Sequence, residues 1–185
     1  MKLISINIGQ EQTLVRPEKT EQTGIFKLPV AGPVEITRTG IPGDFIGDKK
    51  HHGGPEQAVY VYGTDDYDWW AAELGRELSP GTFGENLTIE GLASPEFAVD
   101  DILHVGEVTL QVASPRIPCG TLAGRMGDPH FVTRFRKAER PGLYCRVLRE
   151  GWVSPGQPVV VERFDGERVS MPQAMRDYYE AKKRS

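Results

Sequence analysis

The chain has 185 residues, 38% of them hydrophobic and 26% charged, with a formal net charge of −4. A chain of this length buries a full core without disulfide or metal staples, and its mild acidity provides no general attraction to nucleic acid or to an anionic membrane. Two cysteines, Cys119 and Cys145, are too few for a disulfide framework or for the thiolate set of an iron–sulfur cluster.

In chain order, Lys2 to Ile8 alternates apolar and polar residues as a half-buried strand does, and Val34 to Thr39 repeats the pattern before Gly40, Pro42 and Gly43 stop it. The opening stretch is too short for a signal-peptide core or a membrane span, so a cytoplasmic location is expected. Ala58 to Tyr62 is a β-branched and aromatic run ended by Gly63, the pattern of an inner strand. Thr64 or Asp65 is placed to cap a helix over Tyr67 to Leu78, where Trp70, Leu74 and Leu78 recur at helical spacing.

Pro80 and Gly81 close that helix, and Phe83 to Ile89 reads as a loop entering a strand. Ile102 to Val105 and Val108 to Ala113 form a hairpin about Gly106-Glu107. Ser114 to Gly120 contains Pro115 and Pro118, so it cannot pair as a central strand and becomes a stiff connector. Pro129 to Lys137 suggests a short helix, Leu143 to Arg149 and Val159 to Arg163 two more strands, and Ser170 caps a final helix to about Lys183 with Pro172 in its first turn. The chain is therefore mostly β with a few short helices. Turn-punctuated strands favour a barrel or sandwich over a doubly wound sheet.

Cys119 carries the most chemical information. It sits on the proline-stiffened connector with Arg116 and Arg125 nearby, and neighbouring cations favour the thiolate. Cys145 shares one face of its strand with Leu143 and Val147 and is assigned to the core. Between Gly43 and Gly54 the chain sets Lys49, Lys50, His51 and His52 beside Gly53 and Gly54, so cations and backbone N–H groups could converge on one anion; taken alone, the segment reads first as a solvated turn. Zinc is disfavoured, because adjacent histidines do not easily share one metal. Glu85 and Asn86 follow Gly84 and could hydrogen-bond the edge of a heterocycle. Neither GxGxxG, GxxxxGK[ST], HExxH nor GxSxG occurs.

Four segments in order resemble the MOSC domain family and, within it, the YiiM-like branch: Gly43 to Tyr62 with His52-Gly53-Gly54, Gly84 to Leu87, Pro115-Arg116-Ile117-Pro118-Cys119, and Gly142 to Val147. The resemblance implies a β-barrel of the pyruvate-kinase-barrel-like kind over residues 1–165, then a C-terminal helical tail, 166–185, shortened relative to YiiM-like proteins. It also implies a molybdenum cofactor, molybdopterin, bound through Cys119 as metal ligand and catalytic residue. Lys49, His52, Gly53, Gly54, Glu85, Asn86 and Arg116 are the expected cofactor contacts.

Members of this branch and the related mitochondrial amidoxime-reducing proteins reduce N-hydroxylated compounds to amines, so a molybdenum-dependent N-hydroxyl reductase is expected. Its partners would be a small N-hydroxylated substrate and an external electron-donor reductase, since no flavin or iron–sulfur motif is visible. The alternative is a sulfur carrier or cofactor-delivery module using a Cys119 persulfide.

Overall fold

The computed structural model describes residues 1–48 and 53–184. Twelve strands run in chain order as β1 Lys2–Ile8, β2 Gln12–Arg16, β3 Lys19–Thr23, β4 Leu28–Pro29, β5 Val34–Ile36, β6 Val59–Gly63, β7 Leu87–Glu90, β8 Ile102–Val105, β9 Val108–Ser114, β10 Leu143–Arg149, β11 Gly151–Val153 and β12 Val159–Glu162. The helices are α1 Thr64–Leu74, α2 Gly120–Met126, α3 Phe131–Ala138 and α4 Met171–Arg184. None of them is long and apolar enough to cross a membrane.

Eight strands make one mixed sheet in the order β12-β8-β9-β10-β6-β7-β1-β4. β6 lies at its centre, antiparallel to β10 and parallel to β7, and every one of its residues is buried, as its unbroken apolar run anticipates. The barrel expected from sequence is not closed by a continuous ladder. Its two flanks meet at one isolated bridge between Lys2 and Pro158, where Leu3 N–H donates to the Gln157 carbonyl at 2.9 Å and Val159 N–H to the Met1 carbonyl at 3.0 Å.

The helix expected over Tyr67 to Leu78 begins earlier and ends earlier. Gly75 adopts φ 63° and donates its N–H to the Ala71 carbonyl, closing α1 at Leu74. Thr64 does not cap it; its hydroxyl instead accepts the Gly91 N–H at 3.0 Å. The strand expected to reach Thr39 stops at Ile36, because Thr37 and Gly40 exchange backbone hydrogen bonds across a tight turn. The β2–β3 hairpin has no clear signal in the sequence: Leu14 is its buried apolar residue, while Val15 stays 73% exposed.

Two cores divide the interior. One is aliphatic and lies against the large sheet, and it includes Cys145. The other is aromatic and joins β6 to the helices: Trp70 of α1 packs with Phe131 and Phe135 of α3, and its indole N–H donates to the Tyr62 hydroxyl at 2.9 Å. This second core supports the connector that carries Cys119.

The segment after β12 is tied down by Asp101, which is fully buried. Its carboxylate accepts the N–H groups of Ala98 and Phe164 at 3.1 and 2.9 Å, and the guanidinium groups of Arg163 and Arg168 at 2.9 and 2.6 Å. Burial alone would raise its pKa, but these donors outweigh burial and hold the carboxyl below its ordinary range. Asp101→Asn is expected to cost about 2–4 kcal/mol in urea unfolding at neutral pH. Because the folded-state pKa is depressed, the contribution is present at neutral pH and lost as pH falls below about 4. The gap between wild type and variant should therefore narrow in acid.

Candidate active-site cleft

The site starts from the connector that leaves β9. Pro115 and Pro118 fix its backbone, and Arg116 between them turns inward to near-complete burial, 4% exposed. One guanidinium nitrogen of Arg116 donates to the Phe83 carbonyl at 2.7 Å, and its carbon lies 5.1 Å from the centre of the Tyr60 ring. Arg116 also faces the Cys119 thiol within hydrogen-bonding reach. Burial acts to lower the Arg116 pKa, yet Tyr144, Tyr60 and Cys119 more than offset it, so the group keeps its charge.

Cys119 then caps α2 with an extended backbone, and the helix begins at Gly120. A β-carbon at Gly120 would fall 2.3 Å from Arg16 Nη1, so any larger residue there would push the arginine of β2 off the start of α2. Arg16 bonds Glu21 at 3.1 Å, and the Thr121 hydroxyl donates to the same carboxylate at 2.7 Å, clamping the hairpin onto α2. Cys119 is partly exposed and Cys145 fully buried, and burial pushes the Cys145 thiol pKa up.

Cys119 and Arg116 open onto a cleft of about 110 Å³. Gly53, Asn86, Tyr60 and Tyr144 share its wall with them. So do Lys27 and Asp44, which form a buried ion pair. The Asp44 carboxylate also accepts the Gly9 N–H and the Asn86 amide, each at 2.8 Å. Asn86 in turn accepts the Tyr60 N–H at 3.1 Å, so both ends of its amide are engaged in fixing the wall. Burial lowers the Lys27 pKa, opposed by Asp44.

Of the residues singled out from sequence, Cys119, Arg116, Asn86 and Gly53 thus meet on one surface. Gly54 lies next to it but does not line it. Glu85 is turned away into the fold, where one oxygen accepts the Tyr67 hydroxyl at 2.5 Å, the Gly81 N–H at 2.7 Å and the Thr88 hydroxyl at 2.8 Å. Burial raises its pKa, which fits a carboxyl that braces the loop beneath the cleft. Lys49 and His52 lie outside the described residues. Arg125 rests over the Phe26 ring at 4.9 Å and does not line the cleft.

Among the described residues no cluster of three or more His, Cys, Asp or Glu side chains could hold a metal ion. Among the described residues the cleft offers a metal one thiolate, with Arg116 beside it. That donor set suits a soft metal that arrives already ligated by an organic group bearing sulfur and negative charge. Among the described residues the buried Arg116 Nε has no hydrogen-bond partner, which leaves one donor for a bound group.

Comparison with known proteins places the chain in a family. Residues 48–160 match the MOSC domain, and the chain belongs to that family, whose members are associated with the molybdenum cofactor. It is 38% identical to the uncharacterized protein YflK of Bacillus subtilis over 97% of this chain and 82% of that protein. A protein of Gibberella moniliformis named a reductase is 34% identical over 74% of this chain, which spans 25% of that longer protein. The crystal structure of YiiM from Geobacillus stearothermophilus superposes with a TM-score of 0.78 at 29% identity, covering 97% of this chain and 84% of that one. The YiiM-like branch is thereby supported in both sequence and fold.

Thiol alkylation reports on the site directly. Iodoacetamide should modify Cys119 in the folded protein and reach Cys145 only after unfolding. Arg116→Leu should slow the Cys119 reaction about tenfold at neutral pH by removing the cation that favours the thiolate. Arg116→Lys, which keeps the charge, should lose much less.

Proposed function

We propose that this protein is a molybdenum-cofactor-dependent oxidoreductase that reduces N-hydroxylated compounds to amines. The observation that carries the reading is the pairing of Cys119 with the buried Arg116 on a cleft that also holds Lys27. One soft ligand and one buried guanidinium meet there, beside the Lys27–Asp44 ion pair. The YiiM likeness and the reductase name of one relative support the same reading.

Cys119 would bond the metal through its thiolate. Arg116 would keep that sulfur ionised and fix its direction. Lys27, together with the N–H groups at Gly53, would hold the cofactor's anionic groups. Asp44 and Asn86 act as positioning residues for Lys27 and the wall. When bound, the cofactor supplies a redox centre that passes two electrons to the substrate's N–O bond.

The overall change balances as R–NHOH plus two electrons and two protons giving R–NH2 and water. The electrons come from a separate donor protein. Tyr60 and Tyr144 line the cleft with tilted rings 4.9 Å apart.

The test is to produce the protein in a host that makes the cofactor, then measure molybdenum and the reduction of 6-N-hydroxylaminopurine by a reduced viologen dye. Wild type should hold metal and turn over, while Cys119→Ser should lose at least 100-fold in activity. A Cys119→Ser protein with full metal and rate would overturn the assignment. Wild type with one extra sulfur atom on Cys119, without molybdenum, would make it a sulfur carrier instead.

A further inference from the structure

The short 3-10 turn Pro55–Gln57 leads into β6 and packs on β10, the strand that carries Tyr144. Gln57 is its last residue and lines the cleft together with Tyr144, Tyr60 and Cys119. Among the described residues its carboxamide oxygen is buried and has no hydrogen-bond partner. An acceptor left in that state is costly, and a donor brought into the cleft would remove that cost. The last side-chain torsion of glutamine is soft, so the oxygen can turn toward the cleft without breaking any bond that it now makes.

We propose that Gln57 is a specificity-determining residue whose oxygen accepts a hydrogen bond from the N–H or O–H of the substrate's hydroxylamino group. This rests on the reductase reading above and names what the cleft selects. Two features favour substrate over cofactor as the donor. Gln57 lies on the β10 side of the cleft with the tyrosine rings, whereas the buried cation that suits an anionic cofactor group, Lys27, is tied to Asp44 and Asn86. An aromatic wall beside a lone acceptor also fits a flat heterocycle bearing N–H and O–H donors better than it fits a phosphate. N-oxides and sulfoxides, which have an oxygen to lose but no such donor on it, would gain nothing from Gln57.

The experiment compares wild type, Gln57→Leu and Gln57→Glu. Leucine has similar bulk and no acceptor; glutamate keeps the acceptor. For 6-N-hydroxylaminopurine, Gln57→Leu should raise KM about tenfold with kcat little changed, the value of one hydrogen bond at a buried site. Gln57→Glu should stay close to wild type, and reduction of pyridine N-oxide should be unaffected by either change. Molybdenum content should be equal in all three.

Binding of adenine, the product, to cofactor-free protein should weaken by the same factor in calorimetry, a readout independent of turnover. An unchanged KM in Gln57→Leu, or a loss of molybdenum in place of a KM effect, would overturn the inference while leaving the reductase reading standing. Wild type that fails to reduce any hydroxylamine would remove the reading and this inference together.

Discussion

The site depends first on the buried guanidinium of Arg116. Arg116 is surrounded by protein yet stays charged, because the Phe83 carbonyl, the Tyr60 ring and the Cys119 sulfur each face it. A guanidinium in such a position is tolerated only where its neighbours replace the water it has lost. That requirement fixes three otherwise separate pieces of chain, the loop before β7, the centre of β6 and the connector after β9, in one arrangement around the thiol.

The rest of the fold serves that arrangement. The aromatic core under α1 and α3 makes β6 and its neighbours a firm floor, and the two prolines bracketing Arg116 deny the connector other conformations. The β2–β3 hairpin closes from the far side, bringing Arg16 against the first residue of α2. Asp44 performs the matching task on the opposite wall, binding Lys27, Asn86 and the backbone of Gly9 through one carboxylate. Polar groups held this way keep their geometry before any ligand arrives, which is what a binding site needs.

Much of this was legible in the sequence, for reasons that differ by element. β1, β6, β9 and β10 carry regular apolar patterns because one or both faces are buried, and their assignments stand to within a residue or two. Cys119 and Arg116 stood out because prolines mark a rigid chain. Lys27 and Asp44 gave no local signal. They lie 17 residues apart and meet only in three dimensions. In sequence Glu85 suggests a ligand contact, because a carboxylate beside glycine marks a binding loop, whereas the fold uses it to brace that loop from below. α2 was missed because Gly120 and Gly124 weaken its helical signal, while its stability comes from packing against α3 and β2.

Anomalous diffraction at the molybdenum edge, from crystals of cofactor-loaded protein, addresses the central claim most directly. The account predicts one strong peak in the cleft within bonding distance of Cys119 Sγ, with the Arg116 guanidinium beside that sulfur. A peak elsewhere on the molecule, or a loaded cleft in which Cys119 points away from the metal, would contradict it.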